Sequence, residues 1–111
     1  MDTKAPIPWI KIASKREELP FGDNKIALIH FEEKKICIID GPDGLHACID
    51  TCPHASGQLS GGFIDGKGNI VCPVHHYAFN LFHGRDTQQE GYKLKVFDIK
   101  ENEEGIFLNI S

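Results

Sequence analysis

The sequence predicts a small all-β protein, an antiparallel framework holding a loop-rich insert. Two observations carry that prediction. Short β-rich runs recur along both ends of the chain, separated by turn residues, and the only helix candidate, "SKREEL" at 14–19, is stopped at once by Pro20. The middle, from about residue 50 to 86, is instead rich in Gly, Pro, His and Cys, with Gly57, Gly61, Gly62, Gly66, Gly68 and Gly84 punctuating it.

"WIKIAS" (9–14) alternates as a strand does. "KIALIHF" (25–31) and "KKICIID" (34–40) are rich in β-branched residues and joined by the polar Glu32 and Glu33, which reads as a hairpin. "GPDG" (41–44) is a turn, because Pro42 fixes φ and Gly44 permits a positive one. "LHACI" (45–49) follows as a strand. After the insert, "YKLKVFDIK" (92–100) alternates, with Leu94, Val96 and Phe97 expected inside. "NEEG" (102–105) turns the chain, and "IFLNI" (106–110) is the last strand. Trp9 is expected in the core, and Phe63, Phe79 and Phe82 are expected to pack beneath the loops.

The chain has 111 residues, one domain's worth, with 41% hydrophobic and 25% charged residues, as in ordinary globular proteins. Its net charge is −4 and no basic cluster stands out, which argues against a nucleic-acid partner. No apolar run approaches the roughly 18 residues of a membrane span, and "MDTKAPIPWIKIAS" lacks a signal-peptide pattern. The expected location is therefore cytoplasmic, where Cys37, Cys48, Cys52 and Cys72 would be thiols or metal ligands. Cys37 and Cys48 lie in strand-like runs and are expected to be small buried hydrophobes, with less weight on Cys48 because it lies close to Cys52.

The chemistry sits in "CPHASGQ" (52–58) and "CPVHHY" (72–77). Cys52 and His54 form a Cys-x-His pair, Cys72 and His75 form a Cys-x-x-His pair, and 17 residues separate His54 from Cys72. Two thiolates and two imidazoles suit a tetrahedral zinc ion or a [2Fe–2S] cluster with two Cys on one iron and two His on the other. Each loop supplies one of each ligand, which lets each loop reach both irons. Pro53 and Pro73 follow the two cysteines directly, stiffening each loop and removing a donor. The other histidines, His30, His46 and His83, read as surface or satisfied residues, and His76 as a neighbour of the site.

"CPHASGQLSGGFIDGKGNIVCPVHHYAFNLFHG" resembles the Rieske-type [2Fe–2S] ferredoxin motif, and the flanking "PWIKIAS", "ELPFGD" and "LKVFDIKENEEGIFLNI" resemble that family's β framework. The resemblance implies an antiparallel β-sandwich framework at about 1–45 and 87–111, with a cluster-binding subdomain at about 46–86. It implies one [2Fe–2S] cluster, with Cys52 and Cys72 on the inner iron and His54 and His75 on the outer one. The sequence departs from the high-potential branch of the family. The positions of that branch's paired extra cysteines read Gly57 and Val74, its Ser hydroxyl is replaced by Tyr77, and His76 stands where Gly is frequent.

The function implied is one-electron transfer, as a ferredoxin between a flavin reductase and a terminal oxygenase. The alternatives are the small subunit of an NAD(P)H nitrite reductase, with its large subunit as partner, and a non-redox zinc module. No catalytic machinery is expected in the chain by itself. Partners are expected to cover the tips of the 52–58 and 72–78 loops, including His54, His75 and Gln58.

Overall fold

A computed structural model describes residues 9–54, 57–74 and 76–110. The strands are β1 (Trp9–Ala13), β2 (Ile26–Phe31), β3 (Lys34–Gly41), β4 (Gly44–Ile49), β5 (Phe63–Ile64), β6 (Ile70–Val71), β7 (Ala78–Phe79), β8 (Val96–Asn102) and β9 (Gly105–Asn109). Six form one antiparallel sheet in the order β1-β9-β8-β4-β3-β2, and β5-β6-β7 form a second, small one.

The hairpins follow the turn chemistry. Phe31 pairs with Lys34 across Glu32 and Glu33, with Glu32 at a φ of 56°. Gly41 pairs with Gly44 across Pro42 and Asp43, with Gly44 at a φ of 133°. β4 and β8 join the two halves of the large sheet through Ala47↔Phe97 and Cys48↔Val96, with Ile49 N–H also donating to Lys95 O at 2.9 Å. With so short a joint the halves close over one another. Ala13, Phe97, Ile106 and Leu108 from one half share a core with Ala27, Ile36, Ile38 and Ala47 from the other.

β3 and β4 are buried on both faces. Ile36 and Ile38 point into that sandwich core, while Cys37 and Ile39 point the other way, into a second core with Cys52, Leu59, Ile70, Cys72, Phe79, Leu81 and Leu94. Successive side chains on a strand alternate in direction, so one strand serves both cores. Each fully buried Ile contributes about 1.5–3 kcal/mol of transfer free energy. The second core places the two cysteine loops on the back of β3 and β4.

Four expectations are corrected. The 14–19 segment forms only a 3₁₀ helix at Arg16–Glu18, because Leu19 precedes Pro20 and is extended (φ −93°, ψ 142°). Arg16 is nevertheless held, to Asp40 Oδ1 at 2.9 Å and Glu101 Oε1 at 2.8 Å. Trp9 is half-buried at the sheet edge, where Lys100 Nζ lies 4.5 Å from its ring centroid. Only Phe79 packs beneath the loops; Phe63 is 47% and Phe82 71% exposed. The last long strand also starts late, at Val96, because residues 92–94 are bound to the insert: Lys93 bridges Arg85, and Leu94 N–H donates to Gly84 O. Leu94 and Phe97 are buried as expected, and Val96 is partly so. Among the described residues no helix is long and apolar enough to cross a membrane.

Candidate metal centre

The two cysteine loops are closed in the same way. Cys52 N–H donates to Gly57 O at 2.8 Å, and Cys72 N–H donates to Tyr77 O at 2.8 Å, each bond spanning five residues. Between the cysteine and its closing residue comes a proline, Pro53 or Pro73, which has no N–H to satisfy and is exposed. In the second loop His76 N–H also donates to Cys72 O at 2.9 Å, and His76 takes a φ of 59°.

The first loop is anchored by Asp50. Its carbonyl accepts Leu59 N–H at 2.7 Å, and its Oδ1 accepts Ser60 N–H at 2.8 Å and the Cys37 thiol at 3.3 Å. Asp50 is 1% exposed, so these donors are what make its burial tolerable. Asn24 holds the same loop from β2's side, donating to Ser60 O at 3.0 Å and Gly62 O at 2.9 Å. Gly62 is required there, since a Cβ would collide with Val71 O. The second loop rides on the β6–β7 pairing, Val71↔Ala78.

The loops face each other. A Cβ built on Gly57 would lie 3.0 Å from Cys72 Sγ. Cys52 and Cys72 are both buried, at 1% and 0% exposure. His54 is half-buried, and its Nδ1 is shut off from solvent. Its ring lies flat on Tyr77, centroids 3.8 Å apart and planes at 16°, and meets Tyr92 edge-on at 5.1 Å. The Tyr77 hydroxyl donates to Glu90 Oε1 at 2.6 Å, and this bond pushes the phenol's pKa up to about 12. His75, Ala55 and Ser56 lie outside the described residues.

Cys37 and Cys48 are registered opposite one another on β3 and β4, both at 0% exposure. A hydrogen bond with the Cys48 thiol and then burial raise the Cys37 thiol's pKa far above its usual range, and the thiol donates a hydrogen bond to Asp50 Oδ1 at 3.3 Å. His76 and His83 are exposed, His30 is on the surface, and His46 pairs with Asp43 at 2.9 Å. Sequence reasoning did not single out Asp50, Asp86, Glu90 or Tyr92. Only Asp86 carried a signal: an Asp ahead of "TQQEG" suits a side chain that caps its own loop.

The family model for the Rieske [2Fe–2S] domain matches residues 9–98. The chain belongs to the Rieske [2Fe–2S] domain family. This Rieske chain is 30% identical over 120 residues to cholesterol 7-desaturase nvd of Bombyx mori, covering 97% of the chain but 26% of that protein's length. It is 29% identical over 77 residues to the ferredoxin component of the 2,4-dinitrotoluene dioxygenase system of Burkholderia sp. (strain RASC), covering 69% of the chain and 70% of that protein. Its fold matches a solved structure described as an NADPH nitrite reductase small subunit, with a TM-score of 0.75, 20% identity and coverage of 90% and 96%.

The cofactor of this Rieske domain is one [2Fe–2S] cluster, an iron–sulfur centre for electron transfer. The donors present suit it. Buried thiols are the ligands iron–sulfur clusters take, and the His54 imidazole, its Nδ1 screened from water, lies in the same loop as Cys52. Among the described residues no three His, Cys, Asp or Glu side chains gather for a single ion. A two-iron cluster spreads its protein ligands two to each iron and needs no such gathering.

Proposed function

We propose that Cys52 and Cys72 hold the inner iron and His54 and His75 the outer one, and that residues 46–86 serve as the cluster-binding part of the chain. The observation carrying this is the opposition of two alike-closed loops, with Cys72 Sγ against Gly57 of the other loop. When bound, the cluster supplies a single reversible electron. The chain's own residues keep the two thiols dry, pack the His54 ring against both Tyr77 and Tyr92, and leave the loop tips at Pro53, Gln58, Pro73 and Val74 exposed to a partner.

The protein is read as a ferredoxin that takes electrons from a flavin reductase and delivers them to a terminal oxygenase, in the cytoplasm. Similarity to an oxygenase ferredoxin component over 69% of the chain supports this reading. The purified protein is expected to carry about two irons and two acid-labile sulfides. Cys52→Ala or Cys72→Ala should abolish the cluster, and one zinc without sulfide would defeat the assignment. Stopped-flow reduction by a flavin reductase, then reoxidation by an oxygenase or by a nitrite reductase large subunit, distinguishes the two electron-transfer settings. Faster reoxidation by the nitrite reductase would replace the oxygenase reading.

A further inference from the structure

We propose that Tyr77, tethered through Glu90 to the 86–92 segment, is a positioning residue for His54. This rests on the reading of His54 as a ligand. Tyr77 touches both cysteine loops at once: its carbonyl closes the Cys72 loop, while its ring covers His54 of the other. The ring is itself tethered. Its hydroxyl donates to Glu90 Oε1 at 2.6 Å, and Tyr92 stands edge-on to both rings, 5.6 Å from Tyr77 and 5.1 Å from His54.

The tether ends on a buried carboxylate. Asp86 is 4% exposed; its Oδ1 accepts Glu90 N–H at 3.0 Å and its Oδ2 accepts Tyr92 N–H at 2.8 Å. Asp86 also bridges Phe79 of β7. A continuous set of contacts thus runs from Asp86 through Glu90 and Tyr77 to His54. An imidazole that holds a metal through one nitrogen can still turn about that bond. A flat aromatic neighbour fixed at its far end resists the turn, and groups that orient a ligand tune the metal it holds.

The test uses the cluster-loaded protein with Tyr77→Leu, Tyr77→Phe and Glu90→Ala, with His54→Ala as a check on the ligand reading. Tyr77→Leu should keep its iron but shift and broaden the EPR signal of the reduced protein, and lose iron to a chelator about tenfold faster. Tyr77→Phe, which keeps the stack but loses the bond to Glu90, should fall between wild type and Tyr77→Leu, close to Glu90→Ala. Glu90→Ala should move the spectrum in the same direction as Tyr77→Leu, by less. A Tyr77→Leu protein indistinguishable from wild type overturns the proposal, as does a Tyr77→Phe protein as perturbed as Tyr77→Leu. Should circular dichroism show Tyr77→Leu unfolded, the exposed Glu90→Ala decides, and an unchanged spectrum overturns it. His54→Ala with its full iron and an unchanged spectrum instead defeats the ligand reading, and the proposal with it.

Discussion

A Cβ on Gly57 would stand 3.5 Å from the Cβ of Val74. That separation lies at the short end of the roughly 3.5–4.5 Å found between disulfide-bonded residues. The two positions where the high-potential branch carries its extra cysteines therefore face each other here, and the gap is filled by Val74, whose Cγ2 would lie 2.5 Å from that Cβ. Gly57→Cys/Val74→Cys should form a disulfide when oxidised. Alkylation and mass measurement should find two fewer reactive thiols than after reduction, and the midpoint potential should rise. Gly57→Ala alone should weaken cluster retention, and adding Val74→Ala should recover part of it.

The midpoint potential follows from the same missing groups. Hydrogen bonds to cluster sulfurs stabilise the reduced state, and this chain has neither the disulfide nor the Ser hydroxyl of the high-potential branch. Voltammetry should give a value near the bottom of the Rieske range, about −150 mV. Reduction should become coupled to proton uptake in alkali, with a slope approaching about 59 mV per pH unit. Tyr77 holds its proton to about pH 12, so Tyr77→Phe should leave that slope unchanged. A midpoint well above zero, or one flat with pH, is the contrary outcome.

Asp86 should make the site acid-sensitive. Backbone N–H donation from Glu90, and also from Tyr92, lowers its folded-state pKa below the ordinary carboxylate value. A depressed carboxylate contributes stability above its unfolded pKa of about 3.9, and the contribution is lost as pH falls through the folded value. Asp86→Asn should therefore unfold at lower denaturant concentration at neutral pH, and the gap to wild type should narrow below about pH 4. A gap independent of pH would remove Asp86 from the account.

Gly84 is held at a φ of 83°, and a Cβ there would strike Leu94 O, the neighbour that pins the 92–94 segment to the insert. Gly84→Ala should cost at least about 1–3 kcal/mol in denaturant unfolding, from backbone strain before any displacement of Leu94. An unaltered unfolding midpoint would mean that neither the positive φ nor the Leu94 contact constrains position 84.

Cys37→Ala separates structural from ligand cysteines. It removes the thiol that donates to the buried Asp50, so about 1–3 kcal/mol of stability should be lost. Iron and sulfide content should stay at the wild-type level.

The hairpin strands were legible because each is a local pattern closed by a local turn: Glu32–Glu33 and Pro42–Asp43 need no distant partner. "KKICIID" read as β without polar alternation because both faces of β3 are covered. The 92–94 stretch alternated as well as any strand. It was lost from the strand because Gly84 and Arg85, from the insert, took the backbone partners that a sheet neighbour would have supplied. Trp9 and Phe82 were misplaced because hydrophobicity ranks a residue without saying whether its position lies at an edge.

By itself the sequence determined the all-β class and the two Cys/His pairs, and its resemblance to the Rieske-type motif implied the family. Ligand spacing within a loop is a property of consecutive residues and survives any arrangement of the rest. Only the tertiary structure decided what surrounds those pairs. Asp50 meets Cys37 because β3 runs beside the strand that leads into the first loop. Gly57 meets Val74, and Tyr77, Glu90 and Tyr92 assemble around His54, because the second core folds distant segments onto the back of one sheet. Such contacts depend on where chain segments cross in space, and no periodicity in one sequence records that.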